Sequence, residues 1–184
     1  MQNFDQTLAS STKRIDSEYF QLPVADVNTT IIFRERVYCY ELYHQLRSLW
    51  SDEYWKICGE IDKKGHPILR SSTESPDILV HAPGELANFA IIEVKTADFR
   101  IKDLIKDLKT IEKFMKNSGA EYERGLCLIY GDKPNLVKKI SNTVKRYIKE
   151  DGNPSNIEIW HHPCVGEQAK HIEIPGTKTV IQNF

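Results

Sequence analysis

Three ionisable residues stand where the sequence otherwise predicts apolar strands. Pro76-Asp77 opens the run PDILVHA, Glu93-Val94-Lys95 closes the run NFAIIEVK, and fifteen residues separate Asp77 from Glu93. Side chains two apart on a strand share a face, so Glu93 and Lys95 are expected to point the same way. Burying such groups without a partner is costly. A divalent metal beside a phosphate would answer both signs, with the cation against the carboxylates and the phosphate against the ammonium.

The connection between the two runs sharpens this expectation. Pro83-Gly84-Glu85-Leu86-Ala87 suits a hairpin loop. In simple antiparallel register Ala82 then faces Asn88, Val80 faces Ala90, Ile78 faces Ile92 and Asp77 faces Glu93. Directly opposed side chains have Cβ atoms about 4.5–5.5 Å apart, and like charges opposed there are destabilising unless something positive lies between them. A bulge in the hairpin would alter that register.

The elements that must position these groups follow from periodicity. Residues 34–50 read as a helix whose stripe is Tyr38, Leu42, Leu46 and Leu49, with Cys39 beside it. One turn back along the stripe lies Glu35, whereas Glu41 falls on another side. Residues 54–61 read as a strand, 62–65 as a turn, 67–70 as a return strand and 71–76 as a loop. Residues 99–117 read as a second helix, with Ile101, Leu104, Ile105, Leu108, Ile111 and Met115 inward, Lys and Asp outward, and Gly119 suited to its end. GLCLIYG brackets a buried strand at 126–130. Pro134 suits the start of a third helix over 134–149, with Lys138, Lys139, Lys145, Arg146 and Lys149 on its exposed side. A strand at 157–161 follows, and the tail holds the strand-like HIEI and TVIQ. The expected class is α/β with α+β character, a mixed central sheet flanked by helices. Residues 1–30 are expected to form a loose or surface-lying arm, 31–163 the main domain, and 164–184 an extension packed on it.

The chain has 184 residues, 40% hydrophobic and 28% charged, as expected of one globular domain with a sizeable core. No apolar run approaches the ~20 residues of a membrane span, and the N-terminal stretch lacks the apolar segment of a secretory signal. Cys39, Cys58, Cys127 and Cys164 form no C-x-x-C pair and are expected to be reduced thiols in a cytoplasmic protein. His161, His162, Cys164 and His171 lack the second ligand pair of a motif-like zinc site. Trp50, Trp55 and Trp160 are expected in the core or at an interface. Net charge is −1, but residues 95–149 hold fourteen Lys/Arg against seven Asp/Glu, and the remainder is correspondingly acidic. Such a split suits either solvated helix faces or a basic flank for a polyanion.

The order α-β-β-β-α-β, with Pro76-Asp77 on the second strand and Glu93-Val94-Lys95 on the third, resembles the PD-(D/E)xK nuclease superfamily over roughly residues 34–131, in the manner of its small prokaryotic members. The resemblance implies a restriction-endonuclease-like core and hydrolysis of nucleic acid, DNA first and RNA not excluded. It implies that Asp77 and Glu93, with the Val94 carbonyl, ligate Mg²⁺ or Mn²⁺. Lys95 would orient or help deprotonate the attacking water and steady the phosphate. A glutamate of the first helix often completes such sites; the stripe nominates Glu35, with Glu41 in reserve. Lys102, Lys106 and Lys109 would touch phosphates or form a solvated face, and Glu60 would place a further acid near the site or on the surface. The small chain favours a homodimer or a partner protein. The rival expectation is a non-cleaving module of the same fold, a nucleic-acid sensor or a subunit of a defence or repair complex.

Overall fold

A computed structural model describes residues 3–25, 31–59, 75–116, 121–150 and 152–177. The chain opens with α1 (Phe4–Lys13), α2 (Ser17–Phe20), β1 (Leu22–Pro23) and β2 (Ile31–Ile32), then α3 (Glu35–Leu49). There follow β3 (Lys56–Gly59), β4 (Ile78–His81), β5 (Asn88–Thr96), α4 (Ile101–Lys116), β6 (Arg124–Tyr130), α5 (Leu136–Lys149), a 3-10 turn (Pro154–Asn156), β7 (Ile157–His162) and β8 (Lys170–His171). Six strands form one mixed sheet in the order β3-β4-β5-β6-β7-β8. The first three run antiparallel, β5, β6 and β7 run parallel through helical crossovers, and β8 returns antiparallel. The chain is thus mixed α/β, with helices on both faces of the sheet.

The alternation of β5 divides two cores. Ala90, Ile92 and Val94 point into a cluster with Ile78 and Val80, closed by α1 and α3 through Leu8, Tyr38, Leu42 and Leu46. Ile91 points the other way, with Leu79, Cys127 and Ile129, under α4 and α5. Gly125 lets α4 sit close on β6, since a Cβ there would lie 2.3 Å from Ile111 and 2.4 Å from the Met115 sulfur.

The register of the β4–β5 hairpin pairs Ile78 with Ile92, Leu79 with Ile91 and Val80 with Ala90, as the simple count expects. A bulge does occur, between Val80 and His81, so His81 rather than Ala82 opposes Asn88. It lies on the loop side of those pairs and leaves the register at Ile78 unchanged.

Other expectations are corrected. The N-terminal stretch is not a loose or surface-lying arm in its described part. Asn3 caps α1 through Oδ1, which accepts from the amides of Asp5 and Gln6, and Phe4, Leu8, Ile15 and Phe20 are buried. On α4, Ile101 is exposed and Asp107 is buried, so the helix is rotated relative to the expected stripe. On α5, Lys139 is half-buried, its ammonium donating to the Phe99 carbonyl and lying over the Phe99 ring. The four thiols are unbonded to one another. Trp160 is buried, and Trp50 and Trp55 pack against the α1/α3 core. The expectations at 62–65, 67–70 and Gly119, for Glu60, for the strand over 179–182 and for most of the loop 71–76 lie outside the described residues. No helix among the described residues is long and apolar enough to cross a membrane.

Candidate active site

β5 runs to Thr96, but its pairing with β4 stops at Ile92. Glu93 to Thr96 therefore pair with β6 alone among the described strands, and a notch opens beside them. The notch lies at the carboxyl end of a parallel strand, where open α/β sheets commonly place ligands. Asp77, one residue before β4, reaches into it and accepts the Val94 amide proton on Oδ2 at 2.7 Å. Its carboxyl group also meets that of Glu93.

Lys95 sits next along the strand. Its ammonium lies 2.9 Å from Glu35 Oε1 and 3.0 Å from Asp107 Oδ2. Glu35 comes from the first turn of α3 and Asp107 from the inner flank of α4, so the lysine ties the two helical layers together across the sheet. Its side chain is 14% exposed and that of Asp107 10%, so both ions are largely out of water.

Electrostatically the cluster is one cation among four carboxylates. Burial pushes the Asp77 carboxyl up to about 6, with the Val94 amide opposing and Glu35 reinforcing the rise. Burial, then Asp77 and Asp107, push Glu93 well above the usual carboxylate range. Burial also takes Asp107 up to about 6, against the pull of Lys95. Burial alone would lower the Lys95 ammonium, but Asp107 and Glu35 outweigh it and hold its pKa above that of an ordinary lysine. Lys95 is therefore a cation at neutral pH.

The structure brings together Glu35, Asp77, Glu93 and Lys95. Glu41 instead accepts from the Gln45 side-chain amide at 2.6 Å on the same helix. Asp107 is the member that periodicity missed. It was visible as a charge three residues after Leu104 and four before Ile111, inside the apolar stripe. A cavity of about 310 Å³ adjoins Asp77 and Glu35, walled by Arg36, Cys39, Tyr40 and Tyr43 of α3. His162 is committed elsewhere: Nδ1 lies 2.8 Å from the Tyr38 hydroxyl, and burial lowers the imidazole to about 4.

The donor set suits a hard divalent cation. Asp77 and Glu93 offer oxygen ligands whose charged forms are disfavoured until something positive arrives. Among the described residues no three His, Cys, Asp or Glu side chains, at this notch or elsewhere, converge as a ligand set. Two carboxylates with water and phosphate completing the shell is a common arrangement for Mg²⁺. Neither protein-family models, nor curated proteins, nor solved structures give a significant match to this chain.

Proposed function

We propose that the chain is a divalent-metal-dependent nuclease with a restriction-endonuclease-like core, hydrolysing phosphodiester bonds of DNA. The observation that carries this reading is the meeting of two carboxyl groups, the buried Glu93 and the half-buried Asp77, beside an ammonium that is itself fixed in place. Structural ion pairs are ordinarily balanced. This one has an excess of negative charge at a notch with an adjoining cavity.

In this reading Asp77 and Glu93 hold Mg²⁺ or Mn²⁺, and the Val94 carbonyl is the third candidate ligand. The ion would supply positive charge to the phosphate and acidify water. Asp77 is oriented for its task by the Val94 amide, which fixes one carboxylate oxygen. Lys95 acts as a cation rather than a base, because Glu35 and Asp107 keep it protonated. Its ammonium donates to a phosphate oxygen or the attacking water and opposes the charge that grows in the transition state. Glu35, the more exposed of its two partners at 36%, can exchange that partner for water and accept a proton from it.

One observation favours the non-cleaving alternative. Lys95 is already engaged by two carboxylates, which a purely structural cluster would also show. The test is a panel of linear, circular, single-stranded, branched and RNA substrates with Mg²⁺ or Mn²⁺, run beside Lys95→Ala. The nuclease reading expects cleavage of at least one DNA by the wild type and none by the variant. Cleavage that survives the substitution contradicts the site, and no cleavage of any substrate contradicts the activity.

A further inference from the structure

α4 and α5 cover the same face of the sheet, burying Leu104, Leu108, Ile140 and Val144 in one core. Their outer surfaces each carry a line of lysines. Lys102, Lys106 and Lys109 fall at i, i+4 and i+7 on α4, and Lys138, Lys145 and Lys149 at i, i+7 and i+11 on α5, all exposed. Each set is therefore a straight row along its helix. The acidic residues of α4 are each engaged by other groups: Asp107 is buried against Lys95, Asp103 is paired with Arg100, and Glu112 with Tyr147 and Lys116. α5 carries no acid at all. The lysine charge is thus left to face solvent, in a protein whose net charge is −1.

The geometry points to a second nucleic-acid contact, a two-row lysine face on α4 and α5 that holds the phosphate backbone of a duplex outside the catalytic notch. It rests on the reading of the chain as one that acts on nucleic acid. Packed helices lie about 8–10 Å apart, and lysines one turn apart rise about 5.4 Å. That separation falls between the widths of the minor groove, about 6 Å, and the major groove, about 12 Å, and the long lysine stems can reach the phosphates on either border. An acidic protein partner would not need two regular rows at that separation. α4 links this face to the site, since its inner flank carries Asp107 against Lys95. A duplex held outside is then about one helix diameter, some 10–12 Å, from the notch.

The test is duplex binding without catalysis. A fluorescent 20-base-pair DNA is titrated with the full chain in EDTA, by anisotropy, over a series of salt concentrations. The triples K102Q/K106Q/K109Q and K138Q/K145Q/K149Q are compared with a charge-matched control, K13Q/K56Q/K170Q, whose lysines are also exposed but lie elsewhere. Each row variant is expected to bind about tenfold more weakly, and its slope of log affinity against log salt to become shallower by about 0.9 for each phosphate no longer neutralised. The control is expected to match the wild type. Row variants that behave like the control, or a wild type that does not bind the duplex, overturn the proposal. Cleavage assays on the same proteins separate the two ideas. Row-dependent binding without cleavage leaves this face standing and removes the nuclease, whereas cleavage with row-independent binding does the reverse.

Discussion

The molecule buries carboxylates beside a cation in two places, at opposite ends of the parallel strands, and the two are built differently. At the start of β6, Arg124 donates through Nε and Nη2 to both oxygens of Glu158, at 2.9 and 2.6 Å, and Nη2 reaches Asp5 of α1 at 2.7 Å. Trp160 Nε1 adds a bond to Glu158, and the guanidinium lies over the rings of Phe4 and Phe89. Glu158 is fully buried, and its charge is answered by a two-pronged partner. At the end of β5, Lys95 answers Glu35 and Asp107, while the carboxyl groups of Asp77 and Glu93 meet each other. The first cluster fastens α1 to the sheet. The second sets two carboxyl groups against each other, and on that imbalance the proposed metal site rests.

The largest expected effects have opposite signs at the two places. Asp77→Asn and Glu93→Gln should each lower cleavage by about 10³-fold or more, since they remove an ion ligand. Without metal at pH 7.5 they should leave the melting temperature unchanged or raised, because each removes an ionisable group from a pair that burial and mutual repulsion disfavour as charges. Arg124→Met should do the reverse. It leaves Glu158 buried without its guanidinium, at a cost of about 3–5 kcal/mol, while activity per folded molecule persists. Paired melting curves and rate measurements check this, and a melting loss at Asp77 as large as that at Arg124 would erase the distinction.

Asp107→Asn comes next. It keeps the shape but loses one of the two charges holding Lys95, so kcat should fall about 10–100-fold, the usual range for a residue that orients a ligand, with KM little changed. Steady-state kinetics resolve the two constants.

The pH dependence of stability is a smaller effect of definite sign. Asp77 and Asp107 each titrate near 6 in the fold, above their ordinary value. The stability they contribute by being protonated is fully present below about 4 and lost as pH rises through about 6. The metal-free melting temperature should therefore fall between pH 5 and 7. Mn²⁺ should raise it more at pH 7.5 than at pH 5, and Asp77→Asn should weaken the pH trend, leaving the part due to Asp107, and remove the Mn²⁺ effect. The smallest effect is Tyr38→Phe, which removes the bond to His162 while keeping the stack on Tyr130, at a cost of about 1 kcal/mol. Denaturant melts measure it, and cleavage should not change.

The strand that carries Glu93 and Lys95 was legible because its signal is local. Alternation alone puts Glu93 and Lys95 on one face, and the loop count places Asp77 opposite Glu93. The bulge at Val80 and His81 spares that count only because it falls toward the loop. Glu35 was legible from a stripe extended by one turn. Asp107 resembles a polar position of the PD-(D/E)xK superfamily's second helix but carried no role, because aspartate between lysines looks like a solvent face; what overrides the pattern is Lys95, a partner from a distant strand. α1 was missed for a related reason. Thr7, Ser11 and Thr12 look polar, yet all three are buried, and the Thr12 hydroxyl donates to the Ala9 carbonyl while accepting from the Ala169 amide. Partners more than a hundred residues away, such as Ala169 for Thr12 and Arg124 for Asp5, leave no periodic trace.

The whole functional reading depends on Asp77 and Glu93 forming one cation site. Calorimetric titration of the metal-free protein with Mn²⁺ at pH 7.5, beside Asp77→Asn and Glu93→Gln, probes that dependence without any assumption about substrate. One saturable binding event is expected at millimolar concentration or below in the wild type, lost in both variants. No heat in the wild type, or undiminished binding in either variant, would refute the site.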